Sequence, residues 1–216
     1  GKEINYKPIL AVDELPAVLQ QEMELWEKVA QYYMCTAGEV YKAAYPAVQV
    51  RQESVKPRKK VEDFLKAVQE EADVAQEKNI PQLSGVQQKA FDEIKGSFAS
   101  APGKPVLLRG VTGSGKTEVY MSCMKKIIDS GKTGIMLVPE ISLTPQVLMN
   151  FRSRFGENVA LLHSGLSAGE RFDEWQRILF GEAKIVIGAR SAIFAPLKNI
   201  GIIIANSKFK FGFTKF

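Results

Sequence analysis

Pro105-Val106-Leu107-Leu108-Arg109-Gly110-Val111-Thr112-Gly113-Ser114-Gly115-Lys116-Thr117 decides the fold. The stretch reads as a short apolar strand passing into G-x-x-x-x-G-K-T, then into helical spacing at Val119, Tyr120, Cys123, Met124, Ile127 and Ile128. Strand before and helix after is the setting that a phosphate-binding loop requires. Gly110, Gly113 and Gly115 open backbone dihedrals closed to other residues, so the N–H groups from Gly110 through Val111, Thr112, Gly113, Ser114 and Gly115 can cradle phosphate oxygens. Phosphate then sits at the positive end of the following helix. Lys116 is expected to reach the β- and γ-phosphates of a bound nucleotide, and the Thr117 hydroxyl to ligate Mg²⁺. The plain alternative is a glycine-rich turn matching the pattern by chance.

Working outward, the chain from Leu83 alternates helix against strand. A helix capped by Ser84 has Ala90, Phe91, Ile94 and Phe98 on its inner face; after it come a strand at 105–109, a helix at 116–130 and a stop at Gly131. There follow strand 134–138, helix 144–155, strand 159–163, helix 167–180 opened by Ser167-x-x-Glu170, and strands 184–188 and 200–205. Continuous apolar strands such as Ile185-Val186-Ile187 suit a sheet covered on both faces. The expected fold class is α/β, a parallel-sheet phosphate-loop lobe preceded by a small, mainly helical N-terminal segment.

In that segment Val18, Leu25, Trp26, Val29, Ala30 and Tyr33 recur at helical spacing, and Thr36-x-x-Glu39 opens a second short helix. Tyr32, Tyr33 and Tyr41 either stack bases or join Trp26 in a small core; aromatics at helical spacing favour the core. Residues 47–60 carry no period and include Lys56-Pro57-Arg58-Lys59-Lys60, so 47–82 is read as a linker with a surface helix over Val61, Leu65, Val68 and Ala72.

The 216 residues are 45% hydrophobic and 25% charged, an ordinary globular composition. No run of about 18 apolar residues suggests a membrane helix, so no membrane partner is expected. Two cysteines, Cys35 and Cys123, suggest neither a metal cluster nor a disulfide framework, which fits a cytoplasmic setting. The net charge of +5 is uneven: residues 81–216 hold 18 Lys+Arg against 10 Asp+Glu, while residues 1–80 hold 11 against 14. The basic excess therefore lies with the phosphate loop, and it permits a polyanionic partner.

Five stretches together resemble one family. They are Leu83-Ser84-Gly85-Val86-Gln87-Gln88-Lys89-Ala90, Gly110 to Tyr120, Val138-Pro139-Glu140-Ile141-Ser142-Leu143-Thr144-Pro145-Gln146, Leu162-His163-Ser164-Gly165-Leu166-Ser167, and Ile187-Gly188-Ala189-Arg190-Ser191-Ala192-Ile193-Phe194. Their order and spacing are similar to those of the primosomal protein N′ family, bacterial replication-restart DNA helicases of superfamily 2 that translocate 3′ to 5′. The likeness covers residues 83–204 closely, and Lys7 to Ala44 looks like the tail of the family's N-terminal DNA-binding domain. Four regions follow: 1–46 as that tail, 47–82 as linker and helix, 83–204 as a RecA-like ATP-binding lobe, and 205–216 as an aberrant tail. The resemblance implies ATP and Mg²⁺ as cofactors, single-stranded or forked DNA as partner, and replication-restart proteins as further partners. By the same resemblance Gln87 reads the adenine edge, against the alternative of a surface glutamine. Thr144, Arg190 and Ser191 line the DNA track, Arg190 being equally an ion-pair candidate. His163, the only histidine, reads as a hydrogen-bonding loop residue.

The departures matter too. Where the family continues Gly201-Ile202-Ile203-Ile204 into Val-Asp-Glu-Glu-His, this chain has Ala205-Asn206-Ser207-Lys208-Phe209. Those carboxylates hold Mg²⁺ and orient the attacking water, and loss of a general base costs about 10²–10⁴ in rate. No residue is therefore assigned a catalytic role. The family's zinc module and second motor lobe have no counterpart in these residues, which offer no zinc ligands. The expectation is a piece of a helicase that binds ATP without hydrolysis or unwinding. A non-enzymatic nucleotide- or DNA-binding module is the alternative, and an unrelated phosphate-loop NTPase or kinase is a third reading that residues 138–146 and 187–194 disfavour.

Overall fold

The computed structural model describes residues 18–45, 82–100, 103–139 and 145–206. The linker helix, Glu140, Thr144 and the tail from Ser207 onward lie outside the described residues. The chain divides into two compact units, Gly1–Tyr41 and Lys42–Phe216.

Helix α1 spans Gln20–Tyr33 and stops at Met34, whose left-handed backbone (φ 52°) turns the chain out of the helix. Helix α2, Ala37–Ala44, opens on the capping pair read from the sequence. The Thr36 N–H donates to Glu39 Oε2 at 2.8 Å and the Glu39 N–H to Thr36 Oγ1 at 3.3 Å. The expected aromatic core does not form. Tyr32, Tyr33 and Tyr41 are 61%, 70% and 47% exposed, and the buried apolar positions of α1 and α2 are Ala30, Val40 and Ala44. The rings pair along the surface instead, Trp26 edge-on to Tyr41 and Tyr32 edge-on to Tyr33. Two short helices offer too little apolar area to bury four rings, so helical spacing alone misjudged their depth.

In the second unit the elements are α3 (Gly85–Ser100), α4 (Lys116–Asp129), β1 (Thr133–Leu137), α5 (Pro145–Phe155), β2 (Val159–Leu162), α6 (Ala168–Leu179), β3 (Ile185–Gly188) and β4 (Ile200–Ala205). Short 3₁₀ segments lie at Gly156–Asn158 and Arg190–Phe194. The four strands form one sheet in the order β2-β3-β1-β4, with every pairing parallel. This is the α/β, RecA-like architecture expected.

Side chains alternate across the sheet as the two-residue strand period demands. Met136, Val159, Leu161, Ile185, Ile187 and Ile202 join Met121, Met124, Leu148 and Phe151 on one face, where Phe91, Ile94 and Phe98 of α3 also pack. Ile135, Leu137, Ala160 and Val186 meet Ile178, Ala192 and Leu197 on the other. Burial on both faces explains why these strands read as unbroken apolar runs.

One expected element is absent from the ladder. Residues 105–109 run without strand pairing, and Leu107 is 77% exposed. An extended segment becomes a strand only beside a neighbour that takes its backbone hydrogen bonds, and none of the four described strands pairs with it.

Candidate nucleotide site

Each strand of a parallel sheet points its C-terminal end the same way. Helix α4 leads from the loop back to the start of β1, so its N-terminus lies at that C-terminal edge, where α/β sheets bind ligands. Leu137 of β1, Gly188 of β3 and Ala205 of β4 share the edge in register. The first turn of α4, at Lys116 and Thr117, therefore faces the same rim as Arg190, Ser191, His163 and Asn206.

The loop is built as its glycines suggest. Gly113 and Gly115 take φ of 80° and 76°, a left-handed backbone closed to most side chains. Gly110 approaches Ser114 so closely that a Cβ on it would lie 2.6 Å from Ser114 Oγ. A Cβ on Gly115 would collide with the Gln87 amide nitrogen. Val111, Thr112, Gly113 and Ser114 are exposed along the rim, and the turn closes through the Ser114 N–H donating to the Val111 carbonyl at 3.2 Å. Lys116 folds back over the loop: its Nζ donates to the carbonyls of Gly110 and Val111, both at 2.7 Å. This curl holds an ammonium at the mouth of the cradle, beside helix N–H groups that have no intrahelical acceptor. The arrangement fits a bound polyphosphate, with Lys116 exchanging two neutral carbonyls for charged oxygens. The Thr117 hydroxyl, beside the same turn, lies 3.1 Å from Tyr120 Oη.

Gln87 is brought to this site. Its Oε1 accepts the Ser84 N–H at 2.8 Å, while its Nε2 points at the Gly115 carbonyl at 3.5 Å. With the Gln87 N–H returning to Ser84 Oγ at 3.4 Å, Ser84 and Gln87 form a capping box for α3. That second role was written in Ser84-x-x-Gln87, but reading Ser84 alone as the cap missed it.

A further ion pair anchors the first turn. Arg154 Nη2 meets Glu118 Oε2 at 2.6 Å, both side chains largely shielded, which ties the start of α4 to the end of α5. The sequence reading did not single this pair out, because 36 residues separate its members.

The remaining readings fall along the rim. Arg190 and Ser191 are exposed at the start of the 3₁₀ turn after β3. Arg190 has no ion-pair partner among the described residues, so the ion-pair alternative finds no support there. His163 is the loop residue expected, its Nδ1 accepting the Gly165 N–H at 3.0 Å. Asn206 follows β4, and its N–H donates to the Leu137 carbonyl at 3.1 Å. Among the described residues no three His, Cys, Asp or Glu side chains cluster to hold a metal ion. No described helix is long and apolar enough to cross a membrane.

A parallel sheet with a phosphate loop at its C-terminal edge defines a phosphate-loop nucleotide-binding lobe. Residues 84–209 match the DEAD/DEAH box helicase family, and residues 1–46 match a 3′ DNA-binding domain family. The chain belongs to the DEAD/DEAH box helicase family. Its relatives bear out the resemblance to primosomal protein N′. It is 52% identical over 126 residues to the replication restart protein PriA of Bacillus subtilis, covering 58% of this chain and 16% of that protein. Against the same-named protein of Treponema pallidum it is 39% identical over 205 residues, covering 94% of this chain and 29% of the relative. The Synechocystis protein of that name is 55% identical over 103 residues, covering 48% of this chain and 12% of its own length. The chain thus spans less than a third of the length of these relatives.

Proposed function

We propose that this chain is the ATP-binding lobe, with part of the DNA-binding region, of a 3′ to 5′ DNA helicase acting in replication restart and primosome assembly. The observation that carries the reading is the loop itself, with Lys116 curled over the Gly110 and Val111 carbonyls and Gln87 lying against Gly115. Gly110, Val111, Thr112, Gly113, Ser114 and Gly115 wrap the phosphates, Lys116 neutralises them, and Thr117 is the protein ligand for Mg²⁺. The metal shields the β- and γ-phosphate charge when bound. Gln87 reaches an adenine edge by giving up its long contact to Gly115, its Oε1 remaining on the α3 cap or leaving with it. Arg190 and Ser191 hold DNA phosphates along the rim, and Thr144 joins them by the family likeness of its motif, positioning the strand without reading its sequence. Single-stranded or forked DNA and replication-restart proteins are the partners, in the cytoplasm.

Asn206 favours a second reading in which nucleotide is held without turnover. A carboxamide accepts a hydrogen bond but brings no charge to Mg²⁺ and cannot act as a base near neutral pH. Calorimetry tests the first reading: Mg-ADP binds the full chain with measurable heat, and Lys116→Ala loses it. Equal heats from both proteins remove the loop from the account. The second reading predicts phosphate release at the buffer rate with single-stranded DNA present. A Lys116-dependent rate above buffer assigns turnover to a carboxylate outside the family's Asp-Glu-Glu box.

A further inference from the structure

Tyr120 lies one helical step beyond Thr117, and its phenol O–H donates to Thr117 Oγ1 at 3.1 Å in a partly buried position. Residues three apart on a helix share a face, so the pair meets without strain. The ring is packed against the apolar cluster built on β1, β2 and β3, and the core therefore fixes where the phenol oxygen sits. Packing alone does not require that oxygen, since phenylalanine would fill the same space. Of the polar side chains that open α4, Lys116 is held by the loop's own carbonyls and Glu118 by Arg154. Thr117 is held by a side chain anchored outside the loop.

We propose that Tyr120 is the positioning residue for Mg²⁺ at this site, its phenol turning from donor to acceptor so that it receives a hydrogen bond from the Thr117 O–H while an Oγ1 lone pair faces the metal. A hydroxyl has one proton and two lone pairs. Once a lone pair ligates a cation the proton needs an acceptor, and Tyr120 Oη is in place to be one. Outer partners of this kind fix a ligand's orientation and raise its basicity. The proposal rests on reading Gly110–Thr117 as a Mg-nucleotide site.

The test is calorimetry with ADP, in Mg²⁺ and in EDTA, on the full chain and on Tyr120→Phe, Thr117→Val and the double variant. Tyr120→Phe lowers the gain in affinity that Mg²⁺ confers by about 3- to 10-fold, the scale of one hydrogen bond, and leaves the EDTA affinity unchanged. The double variant is no worse than Thr117→Val, because residues acting through one another are not additive. Full Mg²⁺ gain in Tyr120→Phe, or additive losses in the double variant, overturns the proposal while the loop reading stands. No ADP binding by the unmodified chain in either condition overturns the loop reading and the proposal with it.

Discussion

At Gly115 two demands meet, a left-handed backbone at φ 76° and a Gln87 amide where a Cβ would stand. Either alone penalises a side chain, the backbone term by about 1–2 kcal/mol. Gly115→Ala is expected to lower stability by that amount in urea unfolding. It also lowers Mg-ADP affinity by about tenfold or more, as a displaced loop loses the equivalent of a charged hydrogen bond; an alanine variant that binds normally would show that the loop tolerates a different path. The glycines were legible because their spacing has one economical explanation. The contact of Gln87 with Gly115 was not legible, since nothing in spacing brings residue 87 to residue 115. Cys123 carries a prediction of another kind. Burial pushes its thiol up from 9.0 to about 11, a backbone hydrogen bond pulling weakly the other way. The folded chain therefore keeps this proton after the unfolded chain has released it. Stability is full below pH 9.0 and falls as pH rises through about 11. Cys123→Ala flattens that slope in pH-dependent melting, and alkylation at about pH 8 marks Cys35 first, because Cys123 is buried and Cys35 is only half-buried.

Among elements, the two edges of the sheet are treated differently. The Leu161 N–H on the outer side of β2 donates to Glu174 Oε2 at 3.0 Å, and Arg177 holds that carboxylate from α6 at 2.9 Å and 3.1 Å. The β4 edge carries exposed Ile200 and Ile203 instead. Glu174→Ala leaves a shielded N–H without its acceptor, which costs about 1–3 kcal/mol. Urea unfolding with an unchanged slope is the check, and a variant as stable as the parent would show that water replaces the carboxylate freely. Helices and buried strands were readable from the chain because each announces itself locally, by apolar period or by pairs such as Ser167 and Glu170, whose mutual capping the structure contains. The segment 105–109 was not, because pairing is decided by a neighbour elsewhere in the chain. Tyr32 and Tyr33 failed for a related reason: helical spacing names a face, but only the area available decides whether that face is covered.

For the whole molecule the charge distribution sets the last expectation. Residues 81–216 carry 18 cations against 10 anions, and Arg190 stands exposed on the rim of the sheet that the phosphate loop occupies. Binding to single-stranded DNA is therefore expected to be independent of sequence and to weaken steeply with salt, since each neutralised phosphate releases condensed counterions. Three cations, Lys208, Lys210 and Lys215, sit in the tail among phenylalanines, so two sources of affinity must be told apart. Fluorescence anisotropy with a labelled single strand, across several salt concentrations, separates them. Arg190→Ala lowers the logarithmic salt slope by about 0.7, the value for one contact on a single strand. The triple replacement of Lys208, Lys210 and Lys215 by alanine leaves the Arg190 contribution in place. Should the triple variant lose all binding while Arg190→Ala keeps the full slope, the rim would not be a DNA track, and the tail alone would account for the affinity.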